Sequence, residues 1–230
     1  MHGQSRDRSP EPDLSIIHAN DSFVVVSKRA GLPSQPDPTG DPSALTLAER
    51  QIGSPLWPVH RIDRPASGLL VFARSAGMAG TLSSILQSGR IDRRYWAVVP
   101  GTVAPDQGVL IDRLYHDRRL NKSFIRQEGS LATLRYAVRA RGERYALLEI
   151  VLETGRHHQI RAQLAHAGWP VRGDVKYGAR RTLRAGGICL HAVRLTFPHP
   201  VTDDQQTFVA PPPPDPLWDA LTVGLAPGMQ

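Results

Sequence analysis

The chain has 230 residues, of which 40% are hydrophobic, as expected for a globular protein with one substantial core. Lys and Arg number 28 against 21 Asp and Glu, and the net charge of +7 indicates a polyanionic partner such as nucleic acid. The single cysteine, Cys189, excludes an internal disulfide framework and a zinc site built on several cysteines, and it favours a reducing, cytoplasmic location.

The first part of the chain predicts a tail, a hairpin, two helices and a buried strand. Residues 1–13 are polar, contain proline and lack the apolar core of a secretory signal, so they predict a disordered tail. No later run of about eighteen apolar residues could span a bilayer. The predicted elements that follow are strands Ser15–His18 and Phe23–Lys28 around an Asn20-Asp21 turn, a loop over 28–42, helix Ala44–Gln51, strand Leu69–Ala73, and helix Ser75–Gln87 with a serine cap and a closing Gly89.

The second part of the chain is richer in strands. Residues 103–127 are too polar to assign. The other predicted elements are strands Tyr95–Val99, Leu131–Arg139 and Tyr145–Leu152, helix His158–His166, and strands Ile188–Phe197 and Thr207–Ala210. Strands and helices that mix without regular alternation predict an α+β fold with a mixed, largely antiparallel sheet. We expect one domain over residues 14–214, followed by a C-terminal helix or tail over 215–230.

Two polar clusters stand out from this pattern. The first, HRIDRPASGLLVFAR from His60 to Arg74, places Asp63 between Arg61 and Arg64 directly before an apolar strand. The second, ETGRHHQIRAQLAHAGWPVRGDVKYG, begins about a hundred residues downstream. Alone, the first cluster is typical of a surface salt bridge. If the second folds onto the first, Arg156 or Arg161 could hold the Asp63 carboxylate ionised and oriented.

Metal and nucleotide cofactors are not indicated. His157 and His158 are adjacent, and neighbouring side chains diverge in a helix or a strand, so a shared metal ion is not expected. Gly168, Gly173 and Gly178 match neither a GxGxxG nor a Walker spacing. Cys189 is expected to be a small buried apolar residue.

With these residues in place, the chain resembles the RluA-type pseudouridine synthases, which isomerise uridine to pseudouridine in ribosomal and transfer RNA. The resemblance covers most of residues 21–213. Its segments are VVVSKRAGL at 24–32, HRIDRPASGLLVFA, RRYWAVVPG at 93–101, ETGRHHQIRAQLAHAGWPVRGDVKYG, and ICLHAVRLTFPHP at 188–200. The second and fourth segments are the specific ones.

The resemblance implies a role for each matching residue. Asp63 matches the catalytic aspartate, as nucleophile or as base on the ribose. Tyr95 matches a catalytic tyrosine whose ring stacks on the target base and whose hydroxyl is positioned for proton transfer at C5. Arg161 matches the arginine that pairs with the aspartate. Leu190 matches an apolar residue beneath the site, and Arg61 resembles the arginine that fills the space left by a flipped nucleotide. Arg64, Arg156 and His157 complete the expected substrate-binding set, and no cofactor or metal is implied.

The chain departs from the family pattern at three places. Lys28-Arg29 replaces lysine-proline, Pro65-Ala66 replaces an acidic-threonine pair, and His157 stands where threonine is frequent. None removes an implied catalytic group. A hairpin near Ser15 leaves no room for an S4-type RNA-binding domain, so we expect a short member that binds RNA through its catalytic domain.

Two other functions remain open from the sequence. The first is a non-catalytic RNA-binding or chaperone protein of the same fold. The second is a small-molecule hydrolase that uses Asp63 and His157, although the basic charge and the lack of a nucleophile motif disfavour it. The RNA and the uridine are not encoded in a readable motif, and a monomer is expected.

Overall fold

The computed structural model describes residues 14–225, so the predicted tail over 1–13 lies outside the described residues. The strands are β1 (Leu14–Ala19), β2 (Phe23–Lys28), β3 (Trp57–Pro58), β4 (Ser67–Ala73), β5 (Asp92–Pro100), β6 (Gln107–Asp117), β7 (Lys122–Ile125), β8 (Ser130–Arg141), β9 (Tyr145–Leu152), β10 (Leu190–Pro198) and β11 (Gln205–Val209). The helices are α1 (Ala44–Ile52), α2 (Ala76–Gln87), α3 (Gln159–His166) and α4 (Pro216–Thr222), with a short 3₁₀ helix at Val175–Tyr177.

The strands form one extended sheet. Its order is β1-β2-β4-β10-β5-β9-β8-β6-β7, with β11 paired to β10 and β3 paired to β4. Strands β4 and β10 run parallel, and the other pairs in the described part of the chain are antiparallel. The predicted α+β fold with a mixed, largely antiparallel sheet is therefore confirmed.

Local sequence signals account for most of the element boundaries. Ser43 caps α1 by accepting from the Thr46 amide, and Ser75 caps α2 by accepting from the Met78 amide, because serine satisfies donors that the first helical turn leaves unpaired. β1 pairs with β2 across the Asn20-Asp21 turn, and β8 pairs with β9, as predicted.

Both faces of the central strands are covered. All seven residues of β4 are buried, which explains its continuous apolar sequence. On the opposite face, Trp96 and Val98 of β5 pack with Trp218 and Leu221 of α4. Cys189 lies in this second cluster, buried as predicted, and burial raises the pKa of its thiol to about 12. No helix in the described residues is long and apolar enough to cross a bilayer.

The segment left unassigned over residues 103–127 contains the β6–β7 hairpin. β6 lies near one end of the sheet, and much of its side-chain surface faces solvent: Val109 is 51% and Ile111 64% exposed. A strand that buries little carries no clear apolar alternation, so periodicity could not find it.

Candidate active site

A cavity of about 690 Å³ opens where the loop before β4, strand β5, the segment after β9 and the start of β10 meet. This volume is in the range of small-molecule and nucleotide sites. Polar and apolar residues from all four elements line it, including Asp63, Arg93, Tyr95, Arg156, His157 and Leu190. The two polar clusters of the sequence therefore meet in space.

The loop that carries Asp63 is fixed by buried polar groups. The Ser34 hydroxyl donates to the Ile62 carbonyl at 2.7 Å and accepts from the Ile62 amide at 3.2 Å. Lys28 Nζ, which is 1% exposed, donates to the Ala66 carbonyl at 2.5 Å and to the Arg64 carbonyl at 3.3 Å. These contacts hold the backbone on both sides of Asp63, so the carboxylate stands on a rigid support.

The Ser67-Gly68 pair serves packing between strands. From the sequence alone, a Ser-Gly pair directly before an apolar strand predicts a sharp turn and a close approach of the backbone to a ligand. Instead, Gly68 pairs with Ala192 of the parallel strand β10, and a Cβ at Gly68 would lie 2.4 Å from the Ala192 carbonyl oxygen. Its φ of +109° is also one that side-chain-bearing residues avoid. The glycine sets the distance between β4 and β10 beneath the cavity.

Arg161 joins two carboxylates. Its Nη1 lies 3.3 Å from Asp63 Oδ2, so the predicted pairing of Asp63 with Arg161 is confirmed. Its stronger partner is Asp174, which was not singled out from the sequence: Nε donates to Asp174 Oδ2 at 2.6 Å and Nη2 to Oδ1 at 2.9 Å. Asp174 is 1% and Arg161 3% exposed, so this is a buried bidentate pair.

This arrangement determines the acidity of Asp63. Burial raises the pKa of the Asp63 carboxyl above its ordinary value, and the Arg161 and Arg61 guanidiniums offset only part of that effect. Arg161 lowers the pKa of Asp63 through its charge and its hydrogen bond, whereas the negative charge of Asp174 adds to the upward shift. Asp63 is thus a largely but not fully buried carboxylate with one long ion pair to an arginine, and it is more basic than a surface aspartate.

Tyr95 and Leu190 both line the cavity, from paired strands on which Tyr95 lies opposite Ala192 and Leu190 opposite Ala97. Tyr95 of β5 is 6% and Leu190 of β10 is 4% exposed, and β5 pairs with β10 in antiparallel register. Burial raises the pKa of the Tyr95 phenol above its ordinary value. A ring in this position offers an apolar face to a planar ligand and a protonated hydroxyl for hydrogen bonding.

Three histidine rings stack along one wall. The ring centroids of His116 and His157 are 3.8 Å apart, and those of His157 and His158 are also 3.8 Å apart. Our premise that the two adjacent histidines diverge is therefore wrong, because His158 adopts a left-handed backbone with φ of +52°. Burial and nearby positive charges lower the pKa of His157 to about 3 and of His158 to about 2, so both rings are neutral at physiological pH.

His158 is also hydrogen-bonded on the side away from Asp63. Its Nδ1 lies 3.0 Å from the Tyr177 hydroxyl, while its Nε2 is 3.9 Å from Asp63 Oδ2. Within residues 14–225, no group of three or more His, Cys, Asp or Glu side chains is arranged to hold a metal ion.

The remaining predicted arginines differ in position. Arg61 is exposed and lines the cavity. Arg156 lines it as well, with its Nε donating to the Leu131 carbonyl at 3.0 Å. Arg64 turns the other way: it pairs with Asp37 and Asp41, and its Nε donates to the Gly31 carbonyl at 2.9 Å. The structure therefore brings Arg61 and Arg156 to the cavity and directs Arg64 to the loop over 31–41.

Three residues of the site were not singled out from the sequence: Lys28, Arg93 and Asp174. Asp174 lies in the second polar cluster, and a buried arginine needs a carboxylate, but no spacing rule links positions 161 and 174. Arg93 stands two residues before Tyr95, so alternation along a strand places both side chains on one face. That alternation could have identified Arg93.

Comparison with known proteins agrees with this geometry. Residues 22–166 match the family model described as RNA pseudouridylate synthase. "Uncharacterized RNA pseudouridine synthase YlyB" of Bacillus subtilis is 34% identical over 223 residues, which cover 92% of this chain and 74% of that protein. "Dual-specificity RNA pseudouridine synthase RluA" of Pasteurella multocida is 33% identical over 208 residues, covering 88% of this chain and 94% of that protein.

A solved structure shares the fold. "Human RNA Pseudouridylate Synthase Domain Containing 1" superimposes with a TM-score of 0.76 at 22% identity, over 90% of this chain and 87% of that chain.

Proposed function

The chain belongs to the RNA pseudouridylate synthase family, whose members are isomerases that act on RNA, and we propose that Asp63 is the carboxylate with which it converts uridine to pseudouridine. The observation that carries this proposal is the position of Asp63: a fixed carboxylate, 15% exposed, that faces a nucleotide-sized cavity beside Tyr95. The reaction needs a carboxylate held at a ribose and a surface that keeps the detached base captive.

The proposed chemistry is an isomerisation without net gain or loss of atoms. The N1–C1′ bond breaks, uracil turns, a C5–C1′ bond forms, and the proton lost from C5 is replaced by one at N1. Asp63 acts on the ribose, either as nucleophile at C1′ or as base. Its raised pKa suits both roles, because a more basic carboxylate is also a stronger nucleophile.

The substrate-binding roles follow from where the side chains lie. A base inside the cavity has left its helical stack, and stacking on an aromatic ring contributes about 1–3 kcal/mol, so we assign Tyr95 to hold the flipped uracil. Leu190 supports the base from below. Arg61 is exposed at the cavity, and we assign it to fill the gap that the flipped nucleotide leaves in the RNA. Arg156 and His157 are assigned to the cavity wall that contacts the substrate. Arg64 stays outside this set, because Asp37 and Asp41 hold its guanidinium.

The proposed substrates are tRNA or ribosomal RNA. Relatives of this chain include proteins named tRNA pseudouridine synthase C and Ribosomal large subunit pseudouridine synthase D. We place the enzyme in the cytoplasm as a monomer with one catalytic domain over residues 14–214, which recognises RNA through its own surface.

The test is pseudouridine mapping in cellular RNA with and without the gene, followed by complementation. The wild-type gene is expected to restore the missing sites and the Asp63→Asn variant to restore none, while purified Asp63→Asn keeps its RNA affinity. Asp106→Asn, at an exposed position that pairs with Arg141, is the matched control and is expected to behave as wild type. If Asp63→Asn restored pseudouridine, the catalytic assignment would be wrong. If no pseudouridine depended on the gene, and Asp63→Asn still rescued the growth defect of the deletion strain, the non-catalytic RNA-binding function would replace the proposed catalytic one.

A further inference from the structure

We propose that Arg93 binds a backbone phosphate of the RNA next to the nucleotide that enters the cavity. This inference rests on the proposed function for the identity of its ligand, and it adds a substrate-binding residue that neither polar cluster contains. Three features of the structure support it: the position of the side chain, its lack of an internal partner, and the space kept for it.

Arg93 stands at the boundary of two openings. It lines the cavity together with Tyr95, two residues further along β5 and on the same face of the strand. It also lines a neighbouring groove of about 630 Å³ that runs along β5 and the end of β9. A polynucleotide that places one base on Tyr95 would carry its backbone past this boundary.

The Arg93 guanidinium has no internal partner. Within residues 14–225 it forms no ion pair and donates no hydrogen bond, and its Nε is buried without an acceptor. The arginines around it are engaged: Arg94 pairs with Asp92 and Glu149, and Arg135 pairs with Glu153. A partly buried guanidinium without an acceptor is costly, so an anionic ligand that supplied the acceptor would bind favourably.

The neighbouring backbone leaves room for this group. A Cβ at Gly155 would lie 3.0 Å from Arg93 Nη1 and 3.6 Å from Nη2. A side chain at 155 would press against the guanidinium, which would have to shift by a few tenths of an ångström. Gly155 belongs to the segment that also carries Arg156 and His157, so the same segment shapes both the cavity wall and the Arg93 position.

The chemistry of the ligand follows from that of RNA. Uracil and ribose are neutral, and the phosphodiester is the one anionic group of each nucleotide. A planar guanidinium can donate two parallel hydrogen bonds to two phosphate oxygens, which gives orientation as well as attraction. Arg93 would thereby anchor the RNA backbone at the cavity through a contact that the bound substrate and the transition state share, so it contributes to binding.

The experiment measures binding of a fluorescently labelled twelve-residue oligouridylate at a series of NaCl concentrations. Arg93→Gln is compared with Arg90→Gln, a matched control that removes the same charge from an arginine outside the cavity, paired with Asp203. Loss of one phosphate contact is expected to reduce the slope of log K against log salt by about 0.7 and the affinity about tenfold. Arg90→Gln is expected to retain the wild-type slope.

Two further variants separate contact from folding. Gly155→Ala keeps the arginine but pushes against its guanidinium, so it is expected to weaken RNA binding. The double variant that combines Gly155→Ala with Arg93→Gln is expected to bind RNA no worse than Arg93→Gln alone, because the two changes remove the same contact. Arg93→Lys keeps the charge without the bidentate geometry, so it is expected to retain the slope with weaker affinity. On the mapped substrate, Arg93→Gln is expected to raise KM about tenfold with kcat within threefold.

The outcomes distinguish this inference from the proposed function. A wild-type slope and affinity in Arg93→Gln would overturn the phosphate contact even if the enzyme makes pseudouridine. A fall in kcat with unchanged KM would also overturn it. Conversely, a reduced slope in a protein whose wild type makes no pseudouridine would support the contact and reject the proposed activity.

Discussion

Replacement of Asp174 by asparagine should uncouple the two carboxylates that share Arg161. In the native protein Asp174 accepts two hydrogen bonds from Arg161, at 2.6 and 2.9 Å, and is 1% exposed. Asparagine has nearly the same shape but is neutral, and it has one acceptor oxygen in place of two. Arg161, itself buried, would be left with the long Asp63 contact as its remaining ion pair.

The expected loss of stability is about 3 kcal/mol. Removing one partner of a buried ion pair costs about 3–5 kcal/mol, because the other charge stays buried without compensation. The lower end applies here, since the asparagine oxygen still accepts one hydrogen bond and Asp63 lies within 3.3 Å of Nη1. A loss of this size is a large share of a total stability of about 5–15 kcal/mol. Urea unfolding followed by circular dichroism measures it.

The same substitution should lower the pKa of Asp63. The negative charge of Asp174 raises the pKa of Asp63 and the positive charge of Arg161 lowers it. Removing the first and freeing the second both favour the ionised carboxylate. If Asp63 must be ionised to act, the acid limb of the kcat/KM profile moves to lower pH in Asp174→Asn.

Glu149→Gln is the matched control for this prediction. Glu149 is a buried carboxylate that also joins two arginines, Arg139 at 2.6 Å and Arg94 at 3.3 Å, but it lies outside the cavity. The Glu149→Gln variant should be less stable than the wild type, but the acid limb of its kcat/KM profile should stay at the same pH. A loss below about 1 kcal/mol in Asp174→Asn would refute the argument that Asp174 neutralises Arg161. An acid limb that stayed fixed or moved to higher pH would refute the electrostatic coupling to Asp63.

Three further predictions concern the support of the site. Gly68→Ala should cost more than about 3 kcal/mol in urea unfolding, because it combines a positive φ with a Cβ 2.4 Å from the Ala192 oxygen; wild-type stability would contradict the close packing of β4 on β10. Burial lowers the pKa of Lys28 to about 7, so above pH 7 the unfolded chain binds a proton that the folded chain has lost. The free energy of unfolding of the wild type should therefore rise from pH 7 towards 10, by at most about 1.4 kcal/mol per pH unit. Lys28→Met should lose this rise, and equal pH profiles for the two proteins would contradict the prediction. Tyr95→Phe should bind RNA as wild type with kcat lowered at least about 100-fold, whereas Tyr95→Leu should also bind RNA more weakly; equal binding by both would exclude stacking.

The fold was largely predictable because its signals are local. Serine caps before α1 and α2, the turn between β1 and β2, and the uninterrupted apolar run of β4 each act within a few residues. The β6–β7 hairpin was not predictable by the same means, since exposed residues such as Ile111 obscure the alternation of β6. Alternation of apolar and polar residues arises where one face of a strand is buried, and β6 buries little of its side-chain surface.

The site was predictable in part. Order along the chain and the family resemblance led to Asp63 and Arg161, and alternation along β5 placed Tyr95 on a strand. The role of Asp174 required the folded chain, because the turn at residues 168–173 brings it back to α3. The histidine stack also required it, since the left-handed backbone of His158 breaks the rule that adjacent side chains diverge.

The distribution of charge fits the catalytic role proposed for Asp63 in a basic protein. Asp63 and Asp174 share the single guanidinium of Arg161, and the stacked histidines beside them are neutral, so little positive charge neutralises Asp63 at the floor of the cavity. The positive groups that face a ligand stand instead at the cavity lining, where Arg61 is exposed and Arg93 has no partner among residues 14–225. A polyanion would be attracted and neutralised there, while the carboxylate beneath keeps the basicity that the proposed chemistry requires. Moving a second arginine next to Asp63 would therefore strengthen the ion pair and weaken the reactivity.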